Sequence, residues 1–192
     1  MTGMFYGVSS LNPIVLMFST SSCIIMSYMF KKCRTSLLNL NSFDTSNVID
    51  MTRMFNQSVI DEIYLSRFET SKVYDMTHMF YGASIESVDV SNFDTSNVRY
   101  MSSMFTYMQT TVIEVSRFST QKVEEIADFM KSAKVEYLDL FPIDFITFPM
   151  LRTKFPTEDH LANYIFGSYI SHEIARMGNA RIRTLLTGLR YK

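Results

Sequence analysis

Residues 87–105, SVDVSNFDTSNVRYMSSMF, pass from apolar alternation at Val88 and Val90, through a polar corner at Asn92 to Asn97, into a Met-x-x-Met-Phe block at Met101 to Phe105. The same three-part pattern recurs every 25 residues in both directions. The block stands at Met1, Met26, Met51, Met76 and Met101, then decays to Ile126-Ala127-Asp128-Phe129-Met130. Phe18, Phe43, Phe68, Phe93 and Phe118 keep the spacing, as do Thr20, Thr45, Thr70, Thr95 and Thr120, and the apolar series Cys23, Val48, Val73, Val98 and Val123. No insertion breaks the register. Repetition at this period marks a solenoid rather than a globule.

Within each unit the pairs Leu38/Leu40, Ile63/Leu65, Val88/Val90, Ile113/Val115 and Leu138/Leu140 show the alternation of a short strand. Val48, Met51, Met54 and Phe55 lie at i, i+3, i+6 and i+7, the spacing of one face of a short helix whose start Thr45, Ser46 or Asn47 would cap. A single unit has too few core side chains to offset the ordering of its backbone, so neighbours must stack and share faces. The predicted fold is α/β: a leucine-rich-repeat-like solenoid of 25-residue repeats, each a short parallel strand plus a short helix. About five repeats span 1–140, the first truncated, with a degenerate sixth over 141–156 and a helical C-terminal cap or tail over 157–192.

Composition agrees with a folded core and excludes other classes. The chain has 192 residues, 15 of them Met, 16 Phe and 11 Tyr, with a net charge of -1. Near-neutrality gives no global field for nucleic acid, and two cysteines cannot make a disulfide scaffold. The first thirty residues carry no charged side chain, but Leu11 to Phe30 contains Asn12, Pro13 and five hydroxyl residues, which a helix in lipid would have to hide. Nor is it a signal peptide, since the first charge is Lys31 and no basic segment precedes the apolar run.

Ser87 to Val98 followed by Met101-Ser102-Ser103-Met104-Phe105 resembles the BspA-type leucine-rich repeat. That repeat is also found in the mycoplasma surface-lipoprotein domain of unknown function, where copies run close to LxSLDLSNFDTSNVTDMSxMFxxC. The resemblance covers about 1–140. It implies a cell-surface or secreted protein of adhesion type that binds host or extracellular-matrix protein. The chain departs from the pattern in lacking an export signal and in beginning at Met1 inside a repeat. It is therefore read either as a fragment of a longer surface protein or as an intracellular leucine-rich-repeat scaffold, with a cytoplasmic location as the alternative. A monomer is expected.

The C-terminal third changes character. Ile143, Asp144, Phe148, Leu151 and Phe155 keep the register, while Pro142, Pro149 and Pro156 interrupt it. Thr157 is placed to cap a helix whose apolar stripe runs from Leu161 through Ile165, Phe166, Tyr169, Ile170 and Ile174 to Met177, stopped by Gly178-Asn179. A second helix is predicted from Ala180 to about Leu189. Residues 141–192 carry seven basic and four acidic side chains, so 1–140 is net acidic. The basic end reads first as a solvated face, with membrane contact by the basic helix as the lesser reading and no nucleic-acid partner.

No motif carries chemistry. His172-Glu173-x-x-Arg176 has Arg where a second zinc-binding His must stand, and His78 and His160 are distant in sequence. Cys23 occupies a core series and Cys33 a small-residue slot shared with Ser58, Ala83 and Ala133, so both read as buried thiols; in the resembling family that slot is often Cys. There is no Gly-rich phosphate loop and no nucleophile elbow. No catalytic residue, cofactor or metal is expected.

What remains is surface. Between the inward strand residues runs an outward column, Asn39, Tyr64, Asp89, Glu114 and Asp139, flanked by Leu37, Glu62, Ser87, Val112 and Tyr137. A protein partner is expected on this strand face, with Tyr64, Asp89, Glu114, Tyr137 and Asp139 as the contact residues.

Overall fold

The computed structural model describes residues 1–140 and 148–167. Six parallel strands, β1 (Ile14–Val15), β2 (Arg34–Asn39), β3 (Val59–Tyr64), β4 (Ser84–Ser87), β5 (Gln109–Glu114) and β6 (Lys134–Asp139), lie side by side in chain order. From β2 onward each paired residue faces its counterpart one repeat away, Arg34 with Val59, Val59 with Ser84, Ser84 with Gln109 and Gln109 with Lys134, while β1 is shifted by one, Ile14 with Leu38. A second row of parallel bridges runs Ile25, Asp50, Asp75, Tyr100, Glu125. The chain is thus a parallel β-solenoid of about five turns, similar in architecture to leucine-rich-repeat proteins.

The predicted helix of each repeat is not there. Residues 51–57 form two successive tight turns: the Met54 amide donates to the Met51 carbonyl at 3.1 Å and the Ser58 amide to the Phe55 carbonyl at 3.1 Å. Arg53 and Gln57 lie in the left-handed region at φ 56° and 57°. The amides a helix would keep for itself point instead along the solenoid axis. Those of Met51, Arg53, Phe55 and Gln57 donate to the carbonyls of Asp75, Thr77, Met79 and Tyr81, 2.8–3.0 Å away. Two four-residue turns in a row place Met51, Met54 and Phe55 inward, which imitates helical spacing in the sequence. The predicted Thr45 cap is also revised. Its hydroxyl donates to the Glu69 carbonyl at 3.0 Å and accepts from the Glu69 amide at 2.8 Å, a bond between turns that Thr20 repeats with Asp44.

Left-handed residues recur in every turn, and only some are glycine. Gly82 has φ 62° where Gln57 and Tyr107 hold the same register position. An alanine there would meet nothing closer than the Gln57 Cγ at 3.5 Å, so the cost is backbone alone. Gly82→Ala should lower stability by about 1 kcal/mol, and Ser132→Gly, at φ 56°, should raise it by a similar amount. Urea titrations followed by circular dichroism check both; equal midpoints for the pair would show that these positions carry no left-handed cost.

The core is a column of rings. Phe5, Phe30, Phe55, Phe80 and Phe105 stack with centroids 5.2–5.7 Å apart and planes within 13° of parallel. In the last repeat the aromatic residue moves one place earlier, and Phe129 meets Phe105 edge-on at 89°. Uncharged residues 11–30 belong to the first turns of this stack, and no helix among the described residues is long and apolar enough to cross a membrane.

A helix closes the C-terminal end. Helix α1 (Glu158–Phe166) begins at Thr157, whose hydroxyl accepts from the His160 amide as predicted. It buries Leu161, Ala162, Ile165 and Phe166, and the register residues Phe148 and Leu151 also join the core. The Asp128 amide, which in earlier turns finds the next repeat, here donates to the Tyr164 carbonyl at 2.8 Å. Burial pushes the Tyr164 phenol pKa up, and the neighbouring amides of Ile126 and Ala127 act in the opposite sense. The helix thereby receives a backbone donor of the last turn. Helix α1 ends at Phe166, where Gly167 turns out at φ 74° and packs against Asp128 and Lys131, while the rest of the predicted stripe, Tyr169 to Met177, lies outside the described residues. Ile143, Asp144, the second predicted helix and the basic tail from Arg176 lie outside the described residues.

Candidate functional site

The strands decide what the outer face presents. Strict alternation counted back from Ile63 and Leu65 would place Asp61 in the core, yet Ile60, Ile63 and Leu65 are the buried residues and Asp61 and Glu62 both face out. The strand therefore breaks its alternation at 61–62 and at 36–37, 86–87, 111–112 and 136–137. A column absent from the sequence-based prediction results, Ser36, Asp61, Glu86, Thr111 and Glu136. Polar residues at positions assigned inward by alternation, beside apolar Ile60, Ile85 and Val135, were the signal for it.

This column lines a groove of about 320 Å³ across the turns, with Asp61, Glu86, Thr111 and Glu136 beside Gln109 and Lys134. A second cavity of about 400 Å³ lies at the strand ends, bounded by Val90, Ser91, Glu114, Arg117, Phe118 and Asp139. Across the strand segments, carboxylates stand at positions 61, 62, 86, 89, 114, 136 and 139, against the cations Arg34 and Lys134.

The predicted contact residues are brought together only in part. Glu114 and Asp139 pair across β5 and β6 and share the second cavity, and Ser116 donates to Asp139 Oδ2 at 3.0 Å. Asp89 is exposed but falls beyond β4, in irregular chain. The Ser91 hydroxyl and amide hold its carboxyl below the usual carboxylate range. Tyr64 is 42% exposed and its hydroxyl donates to Glu62 Oε2 at 2.9 Å, which raises the phenol pKa. Tyr137 is half-buried on β6, three strands along the sheet from Tyr64 on β3.

The opposite, turn side carries both signs of charge. Lys31 Nζ lies 5.9 and 5.4 Å from the ring centres of Tyr6 and Tyr28, and Arg53 stacks on Tyr28 while donating to its hydroxyl at 2.8 Å. His78 follows in the next turn, its pKa pushed down first by burial and then by Arg53. Carboxylates therefore outnumber cations on the strand face, whereas on the turn side Asp50, Asp75, Glu124, Glu125 and Asp128 balance Lys31, Lys32, Arg53, Arg99 and Lys131.

Both cysteines are buried free thiols, and burial pushes Cys33 up to about 11. Among the described residues no three His, Cys, Asp or Glu side chains converge as metal ligands would.

No curated protein and no solved structure matches the chain. A family model described as "Mycoplasma protein of unknown function, DUF285" matches residues 1–62 and 26–140, the whole span of the solenoid turns. Repeats, fold and this match agree: the chain belongs to the DUF285 repeat family.

Proposed function

We propose that the chain is a non-enzymatic, repeat-based protein-binding module of cell-surface adhesion type, which recognises a basic segment of a protein partner across its outer strand face. The observation that carries this reading is the acidic surface on a rigid ladder, where Asp61, Glu86, Glu114, Glu136 and Asp139 project from strands fixed by their neighbours. Preformed strands bind without an ordering cost, and an extended acidic field favours Lys- and Arg-rich partners. The resemblance to BspA-type repeats supports a host or extracellular-matrix protein as that partner and the cell surface as the location.

Surface plasmon resonance against matrix proteins and a lysine-rich peptide tests this reading. Binding should weaken steeply with salt and fall at least tenfold, about 1.4 kcal/mol, in the triple variant Asp89→Lys, Glu114→Lys, Asp139→Lys. Undiminished binding by the triple variant would remove the strand face from the interaction.

A further inference from the structure

One side chain inside the stack shows what the strand ends can hold. Asn92 Nδ2 lies 3.2, 3.3 and 3.2 Å from the carbonyl oxygens of Leu65, Ser66 and Phe68 in the preceding turn, so a single NH2 group fills a cradle of main-chain acceptors. One repeat on, the corresponding carbonyls are those of Val90, Ser91 and Phe93, and the residue in register with Asn92 is Arg117. Arg117 is exposed and makes no hydrogen bond or ion pair among the described residues. The Ser91 and Phe93 carbonyls accept no hydrogen bond among the described residues, and that of Val90 accepts from the Phe93 amide.

The two turns also part at this point. Strands β2 and β3 pair as far as Asn39 with Tyr64, and β5 and β6 as far as Glu114 with Asp139, but β4 pairs with β5 only at Ser84 and Gln109. The Leu40 and Val115 amides donate to the Tyr64 and Asp139 carbonyls at 3.3 and 2.7 Å, whereas the Val90 amide, in the same register, donates to no carbonyl among the described residues. Arg67 shares the register of Arg117, yet the Leu40 bond keeps the ladder closed beside it. The cavity of about 400 Å³ lies in the opening, with Val90 and Ser91 on one wall and Glu114, Arg117 and Phe118 on the other. Buried main-chain groups without partners are costly, so a ligand that pairs them gains more than a surface contact would.

We infer that the opening between β4 and β5 is the subsite for an arginine side chain of the basic partner segment, an assignment that rests on the strand-face reading above. A guanidinium carries donors only, in a planar fork. One of its NH2 groups repeats the Asn92 contact on the carbonyls of Val90, Ser91 and Phe93, and the remaining donors face the carboxylates of Glu114 and Asp139 in the same cavity. Those carboxylates, paired across β5 and β6, select a cation over a neutral amide. Arg117 does not fill the cradle itself, because its longer side chain carries its donors past the carbonyls that a short asparagine reaches. As a like charge in the cavity wall it opposes the ligand.

Titration of the full chain with N-acetyl-arginine amide, followed by amide NMR shifts, tests the subsite without any protein partner. Shifts should be confined to residues 90–93 and 114–118. N-acetyl-glutamine amide, which lacks the charge, should bind about tenfold more weakly. Arg117→Ala should bind the blocked arginine at least as well as the parent chain. Arg117→Asn, whose own amide takes the carbonyls as Asn92 does, should bind it at least about tenfold more weakly than Arg117→Ala. Shifts elsewhere on the strand face, equal affinity for the two blocked amino acids, or equal affinity of the two Arg117 variants would each overturn the subsite, while the acidic face would stand if a lysine-rich peptide still bound it. Blocked arginine bound in the opening, with no basic peptide bound anywhere, would keep the subsite and retire the strand-face reading.

Discussion

Phe80→Ala is expected to lower the unfolding free energy by about 3–5 kcal/mol, the largest loss of any single truncation in the molecule. Phe80 is 0% exposed and lies between Phe55, 5.2 Å away, and Phe105, 5.6 Å away, both nearly parallel to it. Removing the ring leaves a void with a ring on each side, and adjacent turns cannot close it without breaking their backbone ladder. The Phe80 amide donates to the Met104 carbonyl at 2.9 Å, and on the other side the Met79 carbonyl accepts from the Phe55 amide at 2.8 Å. Stability in a solenoid is a sum over neighbouring turns, so a weak central interface divides the array. Guanidinium denaturation should show an earlier midpoint and a broader or split transition. Phe5→Ala, at the half-buried end of the column, should cost less. A loss below about 1 kcal/mol at Phe80 would mean that the rings fill space without joining the turns.

Thr45→Val is expected to cost about 1–3 kcal/mol, despite near-identical shape. The hydroxyl of Thr45 both donates to and accepts from the backbone of Glu69, and the residue is 0% exposed. Valine leaves the Glu69 amide and carbonyl without this partner, which is costlier than the bonds were worth. A helix cap would behave differently: it would tolerate Asp, because a cap needs only an acceptor. Thr45→Asp should therefore be worse than Thr45→Val, since a buried carboxylate can accept from the amide but cannot donate to the carbonyl. Hydrogen exchange at the Glu69 amide reports the contact directly. Unchanged protection in Thr45→Val would show that the staple contributes nothing.

The contrast between these sites shows where a sequence misleads. Thr45 recurs every 25 residues, so its structural role was evident, yet spacing alone could not separate a bond along the chain from one across turns. Met51, Met54 and Phe55 pointed inward as expected, but through paired turns with Arg53 and Gln57 left-handed. Ladder bonds to the next repeat outcompete helical ones there, because every turn offers a carbonyl at the right height. On the outer face, Glu114 and Asp139 were found and do converge, whereas the Asp61, Glu86 and Glu136 column was hidden by assuming unbroken alternation. Helix α1 ends at Phe166, followed by Gly167 in the left-handed region at φ 74° and in close contact with the Lys131 side chain.

By itself the sequence determined that this chain is a stack of 25-residue turns, which residues fill the core and that the strands run parallel. A repeat without insertions places like beside like, and only parallel stacking keeps that register. The tertiary structure alone decided the hydrogen-bond partners, the break in each strand that turns two residues outward, the crowding of carboxylates on the outer strand face, and the helix over the last turn. These depend on which neighbour lies across from a group in space, and a periodic sequence carries no record of that until the turns are closed upon one another.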